Sequence, residues 1–461
     1  MKWNSKGAGD GELVFVSGNP GSTDRLFTYD QLEFLRDGSY PMILKMIDRR
    51  IQILRDYGKQ GPEQERQALI EIFGYENAKK AYNGEYQGLL DEQLMAERKK
   101  QEADFRAKIG ANPEWQKQFG GAWETVKTVT AKRAQAAKPR FYRGLFTRSD
   151  LTRLARTLVF YVVETKKPDA DRLDGYHESD LDALRFQLFS PAPLYPEMEK
   201  AVVAGMLKLA IEALGPDDPF LKAVLNGQTP EQLASQVIGQ TKLTDPALRK
   251  SLAESGEDAV RKSADPLVQL MVRLEPQLRE AEEWYKKNIE SVLSPASEKI
   301  AKARFAVFGK STYPDATFTL RLSYGAVKGY PMNGTIAPYK TTLYGTYGRS
   351  EAFDRKGDFA LPERFWQRRE KLDLSTPVNF VTTNDIIGGN SGSPVINRGG
   401  EIVGLIFDGN IESLVGNFVY DDAKNRAVAV HTAYMMEALR KLYDAGALAD
   451  EIEAAARAAT D

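Results

Sequence analysis

The stretch from Asn384 to Asn410, NDIIGGNSGSPVINRGGEIVGLIFDGN, concentrates the residues best able to do covalent chemistry. Within it, Gly388-Gly389-Asn390-Ser391-Gly392-Ser393-Pro394 presents a serine hydroxyl between glycines. A serine acts in acyl transfer when a base takes its proton and backbone N–H groups stand where the oxyanion will form. Glycine shortly before the serine lets the chain turn two such groups, the N–H of Gly389 and that of Ser391, towards one point. One donor of this kind is typically worth about 3 kcal/mol in the transition state. The strand-to-helix elbow of the α/β hydrolases does not fit, because it needs glycine two residues after the serine and a helix beyond. Here Ser393 and Pro394 follow, and Asn397-Arg398-Gly399-Gly400 signals a hairpin. Further on, Phe407-Asp408-Gly409-Asn410 sets a carboxylate at a fixed chain distance from the serine, although an Asp-Gly pair is also an ordinary hairpin signal.

Composition narrows the remaining chemistry. The 461 residues contain no cysteine, which excludes disulfides, thiolate metal sites and cysteine nucleophiles. The two histidines, His177 and His431, are the whole supply of imidazole for a base or a metal, and no metal or cofactor is expected. Lys plus Arg number 63 against 64 Asp plus Glu, so no global basic field exists to hold nucleic acid or an anionic membrane. No window approaches the length of a membrane span, and the first thirty residues show no signal peptide. At 42% hydrophobic and 28% charged residues the chain reads as two or three folded domains.

The elements that position the serine change character along the chain. GELVFV, residues 11 to 16, is β-rich and runs into the turn GNPGST. From about Tyr29 to about Ile300 the periodicity is helical, as in Leu44, Ile47, Ile51 and Leu54, or Leu154, Leu158, Tyr161 and Val162. DEQLMAERKKQEADFRAKI, Asp91 to Ile109, reads as a solvated helix face, and breaks are marked at Pro113, Pro139, Pro168, Pro191 and Pro196. After about Ala303 the period becomes two, in ARFAVFG, TFTLRLSYG, TPVNFVTTN, SPVIN, EIVGLIFDGN and RAVAVHT. The end of the chain returns to helix. The expected division is therefore a β piece over 1–28, a helical domain over 29–302, a β domain over 303–432 and a terminal helix over 433–461.

GELVFVSGNPGST, TFTLRLSYGAVKGY, TTNDIIGGNSGSPVIN and LIFDGNIESLVGNFVY, in that order, resemble the bacterial dipeptidyl-peptidase 7 and dipeptidyl-peptidase 11 enzymes, serine peptidase family forty-six. The resemblance implies an α+β multidomain fold, a chymotrypsin-like double β-barrel with a large helical domain inserted between the barrels. It implies release of dipeptides from free peptide N-termini, with Ser391 as nucleophile, Gly389 in the oxyanion hole and Asp408 holding the substrate's α-ammonium group. A carboxylate so placed acts as a ruler that selects the second peptide bond. Gly409 matches a wall of the S1 pocket where acid-selective members carry arginine, so the match is closer to the dipeptidyl-peptidase 7 type, preferring a hydrophobic penultimate residue. Asn77, in Tyr75-Glu76-Asn77-Ala78-Lys79, matches the helical-domain asparagine that binds the same N-terminus. The family further implies a homodimer and a periplasmic or cell-surface location.

One part of that pattern is missing. The histidine and aspartate of such a triad precede the serine in another barrel, and residues 1–28 match only the end of one. His177 belongs to the helical region and reads as a surface residue; His431 ends a strand and reads as packed or capping. The chain is thus expected to be a fragment with little turnover of its own. Two other readings stand beside this one. A relative that binds peptides without cleaving them needs no base. A nucleotide-binding loop at Gly18-Asn19-Pro20-Gly21-Ser22-Thr23 lacks the lysine and glycine spacing of a phosphate loop, and proline removes one donor.

Overall fold

The structure, a computed structural model, describes residues 2–309 and 314–458. It divides into two compact units, Met1–Phe27 with Lys310–Asp461, and Thr28–Gly309.

The first unit is built on one sheet. Its strands are β1 (Lys2–Trp3), β2 (Leu13–Gly18), β3 (Arg321–Ala326), β6 (Lys340–Thr342), β7 (Pro377–Thr382), β8 (Pro394–Asn397), β9 (Glu401–Gly409) and β10 (Ala427–His431). A separate hairpin pairs β4 (Tyr330–Met332) with β5 (Thr335–Ala337). The sheet runs β3-β2-β8-β9-β10-β7-β6, with β1 parallel to β9. Its ends meet: Thr383 N–H donates to Ala326 O at 2.9 Å, Lys328 N–H donates to Val381 O at 3.2 Å, and Val327 bridges Thr382. Six strands therefore close a barrel, which removes the free edges of an open sheet. Inward residues alternate along each strand, and Val14, Val16, Val327, Phe380, Val395, Val403, Ile406, Ala427 and Ala429 fill the interior.

The second unit is helical. Its principal core joins Ile47, Ile51 and Leu54 of Tyr40–Gly58, Leu154, Leu158 and Val162 of Asp150–Glu164, and Val202 and Leu209 of Pro196–Leu214. Several helices start on the same device, a side-chain cap followed by proline at the first helical position, as in Asn112-Pro113, Asp218-Pro219, Thr229-Pro230, Asp245-Pro246 and Asp265-Pro266. Proline lacks the N–H that would go unbonded there, and its fixed φ suits the turn.

Five expectations are corrected. The segment 1–28 does not end a separate barrel: β2 pairs with β3 and with β8, so it is a strand of the serine-bearing barrel itself. The helical unit is accordingly inserted within one barrel, between its first two strands. ARFAVFG is not a strand but the end of the helix Ser291–Phe308, where Ala296, Ile300 and Ala303 bury one helical face against Phe105 and Trp123. A short apolar run fits either period, and this packing decides for the helix. Pro139 lies inside the helix Ala122–Arg143. The C-terminal helix is two, with Thr432–Glu437 running on into Leu442, a turn through Asp444 at φ 54°, and then Gly446–Ala458. The last residues of the expected helix, 459–461, lie outside the described residues. The charged stretch after Asp91 folds as expected, a helix over Glu92–Gly110 that buries only Met95, Phe105 and Ile109.

Candidate functional site

Ser391 is exposed on the loop 383–393 that joins β7 to β8. The loop is held mainly through its backbone. Gly392 N–H donates to Ile406 O at 2.7 Å, Ile406 N–H to Ser393 O at 2.9 Å, and Ser393 N–H to Asn390 O at 2.9 Å. Buried Asn390 turns the chain, its main-chain N–H and its Nδ2 donating to Ile387 O at 3.1 and 3.0 Å. Among the described residues, the N–H groups of Gly389 and Ser391 donate to no protein acceptor. Donors left unspent inside a tightly bonded turn are what oxyanion stabilisation requires.

The bed of this loop is the turn after β2. Gly21 N–H donates to Gly388 O at 2.7 Å. A Cβ on Gly18 would stand 2.1 Å from Ser393 Oγ and 2.7 Å from Asn390 Oδ1, and one on Gly389, at φ 109°, would stand 2.4 Å from Asn19 O. Glycine is needed where two backbones approach this closely. Arg25 then clamps the loop from beneath. Its Nη1 and Nη2 donate to Asp385 Oδ2 and Oδ1 at 2.6 and 2.9 Å, and its Nε donates to Gly416 O at 2.8 Å. The two side chains are 11% and 14% exposed, so the pair is largely desolvated. Tyr420 Oη adds a bond to Thr383 O at 2.5 Å. Sequence reading found the GNPGST turn but not its purpose, and missed Arg25 and Asp385 altogether, because residues 360 positions apart carry no local signal of pairing.

Asp408 and Gly409 end β9. Opposite β10 the register shifts, with Val428 facing Asp408 and Ala429 facing Ile406, so Phe407 is the extra residue of a β-bulge. Bulges re-aim side chains. Here Phe407 is thrown outward, and the half-buried Asp408 accepts Gly409 N–H at 2.9 Å. Gly409 is not open space: a Cβ there would meet Ser413 Oγ at 2.2 Å, and Ser413 Oγ is itself bonded to Asn410 O at 2.7 Å. Asn410 fixes the turn by exchanging bonds with the Arg426 backbone, 3.0 Å through its N–H and 2.8 Å through its Oδ1.

Asn77 belongs to the helical unit, exposed on the helix Pro62–Leu90. Phe73 and Ile70, one and two turns earlier on the same face, are exposed as well.

His431 caps rather than catalyses. It is 1% exposed, lies edge-on to Phe380, and its Nδ1 accepts Ala433 N–H at 3.1 Å at the start of the next helix. Burial pushes its pKa below the ordinary value, against a hydrogen bond at the Ala8 backbone. His177 sits half-buried in the helical unit with Nδ1 2.9 Å from Asp169 O. Among the described residues one carboxylate group, Glu71, Asp150 and Glu199, gathers within 4.8 Å. Each already serves a protein donor: Arg50, Arg153 and the Leu151 N–H respectively.

A closed β-barrel that carries an exposed serine on a glycine-cradled loop, with a helical unit inserted between its first two strands, is the architecture these observations define. A family model for Peptidase S46 matches residues 1–454, and the chain belongs to that family. It is 27% identical to the Asp/Glu-specific dipeptidyl-peptidase of Shewanella putrefaciens, over 98% of this chain and 66% of that protein. It is 24% identical to dipeptidyl-peptidase 7 of Capnocytophaga gingivalis, over 97% of this chain and 64% of that protein. The chain thus spans about two thirds of the length of these relatives. Among solved structures it is similar to Porphyromonas endodontalis DPP11 in complex with the dipeptide Arg-Glu, with a TM-score of 0.73 at 20% identity, covering 98% of this chain and 66% of that one.

Proposed function

We propose that this chain carries the nucleophile half of a serine dipeptidyl-peptidase site, with Ser391 attacking the carbonyl of a peptide bond and the Gly389 and Ser391 N–H groups receiving the oxyanion. The observation that carries the reading is the serine loop: an exposed hydroxyl beside two unspent amide donors, seated on a rigid bed. The barrel is then the second of a chymotrypsin-like pair. Asp408 at the bulge holds the substrate's α-ammonium group and sets the dipeptide length. Gly409 leaves S1 without a cation, which favours a hydrophobic over an acidic penultimate residue. Membership of the Peptidase S46 family and relatives named as dipeptidyl-peptidases support the assignment.

The chemistry also needs a base. His431 is spent as a cap, and His177 is engaged inside the helical unit. That favours a second reading, in which the site binds peptide N-termini without cleaving them. One experiment separates the two. The protein is incubated with a fluorogenic dipeptidyl amide bearing a hydrophobic penultimate residue, and binding of the same peptide sequence is followed in parallel. Dipeptide release that vanishes in Ser391→Ala establishes the peptidase; binding that needs Asp408, with no release even after a barrel supplying the histidine and aspartate is joined to the chain, establishes the binder. Neither release nor binding would overturn both.

A further inference from the structure

The helical unit holds a hollow of about 930 Å³ whose lining includes none of the residues assigned above to peptide chemistry. It opens between the helices Ala122–Arg143 and Pro266–Tyr285 and the turn at Gly144–Arg148, all within this unit. Six arginines line it. Four are neutralised to different degrees. Arg143 pairs with Asp218 at 2.6 Å and Arg153 with Asp150 at 2.7 Å, whereas Arg140 and Arg156 share the single carboxylate of Glu282 at 2.9 and 3.1 Å. The other two, Arg133 and Arg148, have no carboxylate within ion-pair distance among the described residues. Their guanidinium groups lie over the rings of Phe34 and Phe141, at 4.8 and 4.9 Å.

A guanidinium that rests against an aromatic ring and meets no carboxylate keeps N–H groups for two-point bonding to phosphate or carboxylate oxygens. Among the described residues that line the hollow, Glu280 is the one other carboxylate, so the six arginines outnumber the acids there. Phe141, Phe220, Trp284 and Tyr285 add flat apolar wall beside these cations.

We propose that this hollow is a binding site for a small dianion joined to a flat apolar group, an aryl phosphate or an aromatic dicarboxylate, with Arg133 and Arg148 as its principal anchors. The argument for this site uses neither Ser391 nor the peptidase reading.

The test is calorimetric titration of the full chain at low salt with phenyl phosphate, isophthalate and inorganic phosphate. Phenyl phosphate or isophthalate is expected to bind at least about tenfold more tightly than inorganic phosphate, and whichever is tighter identifies the anion. Arg133→Ala and Arg148→Ala should each weaken binding about tenfold or more. Arg148→Lys, which keeps the charge but not the fork, should fall between, and Arg66→Ala, on another helix and paired with Glu63, should change nothing. Absence of saturable binding by any probe in the wild type would overturn the proposal. So would binding that Arg148→Lys and Arg148→Ala leave intact, or inorganic phosphate binding as tightly as the aryl anions.

Discussion

The serine loop of the barrel unit and the core of the helical unit are stabilised in different ways. Around Ser391 the chain is fixed by backbone hydrogen bonds, by glycines with no room for a side chain, and by one desolvated ion pair. The helical unit is fixed chiefly by interchangeable apolar side chains along long helices; it has its own buried ion pairs, Arg279 with Glu164 and Glu275, beside many exposed ones such as Arg49 with Glu212 at 2.9 Å and 32% and 48% exposure. The difference is one of tolerance. A loop that must keep two N–H groups unspent and aimed has few solutions, while a helical core accepts many sequences of similar volume.

Ion pairs offer the sharpest way to break that comparison. Arg25→Ala leaves the Asp385 carboxylate desolvated without its partner, which should cost about 3–5 kcal/mol. It should also free the serine loop, seen as faster hydrogen exchange over 384–393. Arg49→Ala, at an exposed pair, should cost less than about 1 kcal/mol. Denaturant unfolding of both variants measures the contrast; equal losses would mean that the clamp under the loop is no more than a surface pair.

Glycine gives the next test. Gly18→Ala places a methyl group against Ser393 and Asn390 and should destabilise by about 1–3 kcal/mol through overpacking. Any activity traced to Ser391 should fall further than stability alone explains, with kcat affected more than KM, because the loop is displaced rather than the substrate pocket.

Acid should act on the barrel through His431. Its pKa is depressed in the fold by burial, with the nearby Lys340 charge adding to the effect and the Ala8 hydrogen bond opposing it. The folded state therefore resists protonation. The penalty is absent while the imidazole is neutral in both states, and it grows as pH falls through the unfolded value of about 6.5. Protonated Nδ1 can no longer accept the Ala433 N–H, a loss of about 1 kcal/mol of helix capping. Thermal unfolding of the wild type should weaken between pH 7 and pH 5 more than that of His431→Asn, which cannot titrate. Parallel curves would remove His431 from the account.

How much of this was legible in the sequence follows from the same contrast. Helical periodicity at Ile47, Ile51 and Leu54 is a local signal, and the helices stand where it put them. The Ser391 loop was legible because a glycine-flanked serine between two strands is a local pattern as well. The bed beneath it was not. Whether GELVFVSG ends one barrel or begins another depends on pairing with β3 and β8, some 300 and 380 residues away, and nothing in eight residues encodes the partner. The helix end Ala303–Phe308 failed for a related reason, since tertiary packing on Phe105 and Trp123 chose between two periods that the run allowed equally.

The smallest expected effect has the opposite sign. Gly74 lies in the interior of the helix Pro62–Leu90, and a Cβ there would meet nothing within 4 Å. Alanine removes backbone freedom from the unfolded chain without filling any gap, so Gly74→Ala should stabilise by about 0.5–1 kcal/mol. The sign matters more than the size, because Gly18→Ala and Gly74→Ala are the same chemical change in the two units. Gly74 also lies beside Phe73 and one turn before Asn77, on the helix that presents the expected N-terminus-binding residue. Peptide binding unchanged in Gly74→Ala leaves the glycine as an ordinary helix position. Binding lost while stability rises would show that ligand backbone approaches Gly74 as closely as Ser393 approaches Gly18, and the helical unit would then share the barrel's intolerance at that one point.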